Sequence, residues 1–323
     1  MSYHEEHGYL QLLRDVQTLG ERRKNRTGID TISLFGPQIS FLLDDYFPLF
    51  TTKRVWWKGV AVELDWMLQG SSNIEYLKKH GVGIWDKWAR ADYLPDLGYL
   101  EGELGPVYGV QWRRWAVFED RSEWEQRAWT QDDEGDFRRL ARRDPEAAAE
   151  TAAALSRRVA RAVREHDQIV QIVDKLRHDP TDRRIILSAW NVAEIDKMKL
   201  PPCHMMAQFL VDGDDRLTCI VTFRSWDLFI GAPFNVAQYA LLTCLLAHVS
   251  GRKAHKLIIN AGDAHIYVNH LEQVREQCSR QILHAPKIVL DDVSTANIDD
   301  FRFDQPKIVG YDPHPALPGE VAQ

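Results

Sequence analysis

The sequence predicts an α+β fold: a large mixed sheet flanked by helices. Three observations carry that prediction. Helical and strand-like apolar patterns follow one another without the strict βαβ alternation of a doubly wound sheet. Neither GxGxxG nor GxxxxGK[ST] occurs, which disfavours dinucleotide and P-loop folds of those types. The chain has 323 residues, 45% apolar and 27% charged, enough for one large core. We read 1–323 as a single domain carrying a helical surface insertion at 116–166.

In chain order, Leu10, Leu13, Val16 and Leu19 recur at helical spacing, predicting a helix over 8–24. Asn25-Arg26-Thr27-Gly28 is a turn signal. Residues 31–43, with Ile32, Leu34, Ile39, Phe41 and Leu43, read as strand. Residues 57–69 return to helix, with Gly70 as C-cap, and 73–80 form a second short helix. The Gly-, Pro-, Asp- and Tyr-rich segment 92–110 reads as loop. In the insertion, Pro145 suits a first helical position, and Leu155, Val159 and Val163 make an apolar stripe opposite Arg157, Arg161 and Arg164. A solvated surface hairpin is the plain reading of that segment, a basic partner-binding helix the other. Beyond it, 167–177 reads as helix, 185–187, 205–211 and 216–223 as strands, 233–249 as a central apolar helix, 256–260 as strand and 265–280 as helix.

The net charge of −7 speaks against a general nucleic-acid binder, so an anionic ligand must be held by local arginines. Cys203, Cys219, Cys244 and Cys278 form no CxxC pair, which predicts neither a structural metal site nor a disulfide framework. Dispersed thiols suit a reducing, cytoplasmic location. The N-terminal stretch does not read as a signal peptide, and no run of 18 apolar residues predicts a membrane span.

Several residues could carry chemistry. Cys203 follows Pro201-Pro202 in a stiff loop, where a neighbouring cation would lower its pKa; the alternative is an inert core thiol. Arg224 and Ser225, followed by Asp227, make a phosphate clamp or a surface ion pair at a turn. Asn235 is a helix N-cap or an amide that reads a pyrimidine edge. Arg183 and Arg184 enter an apolar strand and either bind an anion or stand exposed, as does Arg26 in its turn. His265 and Tyr267 share a face if the backbone is extended and could then hold a sugar hydroxyl; otherwise His265 starts a helix. Glu63, within an apolar helix, is a buried acid/base group or an exposed helical glutamate.

Together these motifs, in order and spacing, resemble the folate-dependent thymidylate synthase family and its pyrimidine-nucleotide hydroxymethylase relatives. The landmarks are NRTG at 25–28, FPLFTTKR at 47–54, WMLQGSSNIEYL at 66–77, IWDKWA at 84–89, LGPVYGVQWR at 104–113, DRRIILSAWN at 182–191, LPPCH at 200–204, RSWDLFIGAPFN at 224–235, GDAHIYVNH at 262–270 and YDPHP at 311–315. The resemblance covers Leu10 to about Trp115 and Asp167 onward.

It implies a thymidylate synthase-like fold, with two identical subunits packed sheet to sheet. It implies dUMP as substrate and 5,10-methylenetetrahydrofolate as donor of methylene and hydride. Cys203 would attack C6 of the uracil as a thiolate. Arg224, Arg26 and Ser225 would clamp the phosphate, and Arg183 and Arg184 would reach the partner's phosphate. Asn235 would bond N3–H and O4, His265 and Tyr267 the 3′-hydroxyl. Glu63 would act through water on O4, and Tyr108 with water on the C5 proton. Asp227 and Trp85 would contact the pterin and Lys53 the folate tail, while the C-terminal residues, Ala322 among them, close over the site.

Some positions depart from the family. Trp56 stands where a folate-contacting His is usual, Phe223 replaces a Gln, Trp226 a small residue and Ala232 a Leu. The chain ends in Val321-Ala322-Gln323 rather than an aliphatic residue. These departures are expected to cluster around the folate and the closing tail. A wetter lid lets water replace hydride, so a dUMP hydroxymethylase is the alternative activity. A non-catalytic nucleotide- or RNA-binding relative is a third reading.

Overall fold

A computed structural model describes residues 6–117, 144–147 and 164–320. The first helix, α1 (Glu6–Leu19), buries Tyr9, Leu10, Leu13 and Val16, but Leu19 is exposed. It stops short of the predicted residue 24. At Gly20 a Cβ would stand 2.4 Å from the Val16 carbonyl oxygen and 2.8 Å from Ile32, so only glycine lets the chain turn there. Residues Glu21–Arg23 then form an edge strand, β1. The strand expected over 31–43 is two strands, β2 (Thr31–Phe35) and β3 (Gln38–Leu42). Pro37, which has no N–H for a ladder, separates them.

Helix α2 (Trp57–Leu68) is buried nearly throughout and ends before Gly70, as expected; the short α3 follows (Glu75–Lys79). The segment read as loop to 110 instead enters helix α4 (Tyr108–Arg113). Gly109 there lies against α2 so closely that a Cβ would meet the Met67 carbonyl oxygen at 2.6 Å. That approach fixes Tyr108. Strands β4 (Trp115–Val117) and β5 (Arg164–His166) pair antiparallel and close the base of the 116–166 segment. Inside it, residues 145–147 are helical, with Asp144 Oδ1 accepting from the Ala147 N–H at 3.0 Å. The predicted Leu155, Val159 and Val163 stripe lies outside the described residues.

Helix α5 (Gln168–His178) is capped by Asp167, which accepts from the Val170 N–H. The remaining sheet is β6 (Ile186–Ser188), β7 (His204–Val211), β8 (Arg216–Asp227) and β9 (Lys253–Tyr267), with α6 (Gly231–Ser250) crossing between β8 and β9. The seven strands run β1-β2-β9-β8-β7-β6, with β3 also on β9. Only β8–β9 is parallel, so the sheet is mixed as predicted. β9 is far longer than 256–260 because it serves β8 on one side and β2 and β3 in turn on the other. Residues 265–267 are therefore strand, and α7 begins only at Leu271 (Leu271–Ser279). A ribbon of β10 (Lys287–Val289) and β11 (Lys307–Val309) follows.

By length and composition α6 is long and apolar enough to cross a membrane, but most of it is buried inside the protein. It packs against β8 and β9, whose Leu217, Cys219, Val221, Leu257 and Ile259 are buried. The alternate residues Thr218, Ile220, Thr222 and Ile258 are only half-buried, as is Leu210 on β7, and Met206 is exposed. The other face of the sheet thus mixes apolar residues with Gln208, Lys256 and Asn260, and is only half-buried among the described residues.

Candidate functional site

The site is built around the loop before β7. Arg224 on β8 donates from Nε to the Pro202 carbonyl and from Nη2 to the Pro201 carbonyl, both at 2.8 Å. Its backbone N–H donates to the Cys203 carbonyl at 2.9 Å, and Nη2 stands 3.9 Å from Cys203 Sγ. From the other side, the Cys203 N–H donates to Tyr108 Oη at 2.7 Å. The two prolines leave this loop few conformations, and the guanidinium binds both of their carbonyls. Trp190 lies under the guanidinium, 5.7 Å away.

The thiol's electrostatics differ from the expectation. Burial pushes the Cys203 pKa up more strongly than Arg224 and Arg26 pull it down, so it lies above the ordinary 9.0. In the free protein Cys203 is a protonated thiol at neutral pH. The direction assigned to Arg224 is right; the net is not, because the sequence does not display burial. Burial also drives the Tyr108 hydroxyl well above its ordinary range. His204, which sequence reasoning missed, stacks on Tyr108 with ring centroids 4.0 Å apart. Its Nδ1 is 2.7 Å from Tyr239 Oη, and burial lowers its pKa to about 3, so it is neutral.

Glu63 on α2 is buried. Its carboxylate accepts from Trp85 Nε1 at 2.7 Å and from Gln238 Nε2 at 2.8 Å. Burial raises its pKa to about 7, although both hydrogen bonds favour the anion. Gln238 was also missed; the signal was an amide in the apolar run of α6. Trp85 connects Glu63 to Tyr108, its ring centroid 6.1 Å from the phenol. An acid/base group near neutrality is thus joined by aromatic contacts to the loop that carries the thiol.

Asp227 ends β8 and accepts from the Phe229 and Ile230 N–H groups, shaping the turn into α6. Asn235 is the fifth residue of α6, so it is not that helix's N-cap. Lys53 is turned inward: Nζ donates to the Phe229 carbonyl and lies 3.6 Å from the centre of the Phe229 ring. Burial lowers its pKa to about 7, against the pull of Asp227. His265 and Tyr267 sit two apart on β9 with rings 5.2 Å apart, so the extended reading holds and the helix-start reading fails. Register sets Ser225 beside Asp263 and Asp227 beside His265. Arg26 stays exposed in its turn, yet its charge acts on both Cys203 and Tyr267.

Arg183 and Arg184 stand exposed before edge strand β6, with Arg184 ion-paired to Asp182 at 2.8 Å. The charges that act on Cys203 are Arg224, Arg26 and Asp227. Trp56 is 42% exposed and packs over Gly59. Ala322 lies outside the described residues.

The family model described as thymidylate synthase matches residues 7–323. The chain belongs to the thymidylate synthase family. This is a family of methyltransferase-type enzymes that generally bind dUMP and use methylenetetrahydrofolate. The match runs through the 116–166 segment as well as the sheet and the site.

Proposed function

We propose that this member of the family is a thymidylate synthase, converting dUMP to dTMP by reductive methylation. The observation that carries the reading is Cys203 gripped between Arg224 and Tyr108, with the near-neutral carboxylate Glu63 behind Trp85. Arg26, Arg224 and Ser225 hold the phosphate, as the family resemblance implies. Cys203 Sγ adds to C6 of the uracil, its proton passing to solvent water as the C–S bond forms and the C5–C6 π electrons moving toward C5 and O4, and C5 becomes the nucleophilic carbon. Negative charge then develops on O4. The Asn235 amide meets it directly and Glu63 meets it through water, able to give or take a proton because its pKa lies near 7. Tyr108 keeps its own proton at working pH and orients the water that removes the proton from C5.

Methylenetetrahydrofolate supplies the one-carbon unit and the hydride. Indole faces at Trp85 and Trp56 and a carboxylate at Asp227 fit a planar, N–H-rich pterin and its aryl tail. Lys53 presents its ammonium to an anionic tail only by leaving the Phe229 carbonyl. The half-buried sheet face carrying Met206, Leu210, Ile220 and Ile258 supports a homodimer, in which Arg183 and Arg184 serve the partner's phosphate site. Four free thiols suit the reducing cytoplasm.

Product analysis tests the reading. Incubation with dUMP and methylenetetrahydrofolate should give a methyl product by mass spectrometry, with dihydrofolate absorbance rising in step. Cys203→Ala should abolish both. A hydroxymethyl product with tetrahydrofolate would replace the synthase reading with the hydroxymethylase one.

A further inference from the structure

Asp263 has no role in the mechanism above, yet it is placed beside groups that do. On β9, Asp263, His265 and Tyr267 alternate with buried Ala264 and Ile266, so all three share one face. Asp263 Oδ1 lies 3.3 Å from His265 Nδ1. That oxygen is buried and has no close hydrogen-bond partner among the described residues. Catalytic and binding contacts of this length often tighten when ligand arrives. The other oxygen, Oδ2, accepts from Arg23 Nη1 at 3.1 Å, and Arg23 is itself seated over the Phe35 ring at 4.9 Å. Strand register supports the same arrangement: Phe35 pairs with Asp263 and Ser33 with His265 across β2–β9. Burial raises the Asp263 pKa, but His265, Ser33 and Arg23 together bring it below the ordinary value, so the group is a carboxylate.

A carboxylate oxygen this near one ring nitrogen of a histidine, not in line for a hydrogen bond in the free protein, does a defined job once the two align as ligand binds. It holds the proton on Nδ1 and leaves the lone pair on Nε2. We propose that Asp263 is a positioning residue for the sugar end of the nucleotide site, fixing His265 in the tautomer whose Nε2 accepts from the 3′-hydroxyl of the deoxyribose. Arg23 anchors the carboxylate from the far side. The inference rests on the reading of His265 and Tyr267 as sugar ligands, and it adds the group that sets the polarity of that contact.

The test measures binding alone, by calorimetry, without folate. The ligands are dUMP and its 3′-deoxy analogue, 2′,3′-dideoxyuridine 5′-monophosphate. Wild-type protein should prefer dUMP by on the order of tenfold, the worth of one well-oriented hydrogen bond. Asp263→Ala should weaken dUMP binding and bring the preference to within about twofold, leaving the analogue's affinity unchanged. In a His265→Ala background the same substitution should have no further effect, which a merely structural role would not produce. Arg23→Gln, on the exposed edge strand, should reduce the preference partway and serves if Asp263→Ala does not fold. Undiminished preference in the Asp263→Ala and Arg23→Gln proteins overturns the proposal while leaving the sugar reading intact. Absence of any preference in the wild type overturns both, and so separates the two failures.

Discussion

Replacing Glu63 by Gln should change the pH dependence of stability by an amount the structure sets. Glu63 titrates near 7 in the folded protein against 4.5 for an ordinary glutamate. At 1.36 kcal/mol per pKa unit, that difference corresponds to about 3 kcal/mol. The sign follows from which state holds the proton. Below pH 4.5 both states are protonated and the group contributes no difference. Between 4.5 and 7 the unfolded chain ionises first, so native stability falls as pH rises, and above 7 the penalty is complete. Glutamine is neutral throughout and escapes it. It can also keep both contacts: its oxygen accepts from Trp85 Nε1, and, once the Gln238 amide turns over, its amide N–H donates to Gln238 Oε1, which has no partner among the described residues. Urea unfolding at pH 5, 6, 7 and 8, at one protein concentration, should show Glu63→Gln gaining on wild type by about 3 kcal/mol across that range. Over the same range kcat/KM should drop by roughly 10²–10⁴ and lose the wild-type limb near pH 7. Stability curves that stay parallel would show that Glu63 is already ionised in the fold, and the acid/base role would go with it.

Other expectations can be checked directly. Iodoacetamide should alkylate Cys203 with a midpoint above the ordinary 9.0, and Arg224→Ala should slow it further at pH 7.5; peptide mapping separates it from the other thiols, and a midpoint below neutrality refutes the burial argument. Asn235→Asp should shift kcat/KM from dUMP toward dCMP, because C4 of cytosine carries a donor amine; an unchanged ratio removes the amide from the base contact. Ile220→Glu on the half-buried sheet face should give a monomer by sedimentation, and no change in mass would place the interface elsewhere. Mixed Arg183→Ala and Cys203→Ala chains should regain activity in roughly a quarter of sites, one per heterodimer; no recovery argues against a shared site.

What the sequence displayed depended on whether the controlling force was local. α1, α2, α5 and α6 were legible because their apolar periodicity is written in their own residues. β9 was under-read because Gly262-Asp263-Ala264-His265 breaks its alternation, and what keeps it extended is pairing with β2 and β8, far away in sequence. α4 was hidden in a Gly- and Tyr-rich stretch and exists because Gly109 lets it lie on Met67. Asn235 was misplaced because Gly231-Ala232-Pro233 looks like loop, although proline is tolerated in a first helical turn. In the site, residue types and spacing named Cys203, Arg224 and Glu63 as candidates, and the family resemblance added Tyr108. The direction of the thiol's pKa needed burial, and the partners His204 and Gln238 needed the tertiary fold.

The departures from the family pattern divide once burial is known. Phe223, Trp226 and Ala232 are each no more than 2% exposed. Phe223 packs on His204 and Trp226, with centroids 5.4 Å away in both cases, and His204 in turn stacks on Tyr108. Phe223 and Trp226 therefore belong to the packed interior behind the thiol loop, and Ala232 is buried in the first turn of α6. The effect of Phe223 and Trp226 on chemistry runs through His204 to the position of Tyr108 and Cys203, which bears on the proposed first addition step. It does not bear on whether hydride or water completes the reaction. That choice depends on what excludes water at the mouth, and among the described residues Trp56, whose indole is exposed, is the departure we propose acts there. Trp56→His should accordingly alter the KM for folate and the ratio of methyl to hydroxymethyl product. Phe223→Gln should instead lower the rate of Cys203 alkylation or adduct formation and leave that ratio unchanged.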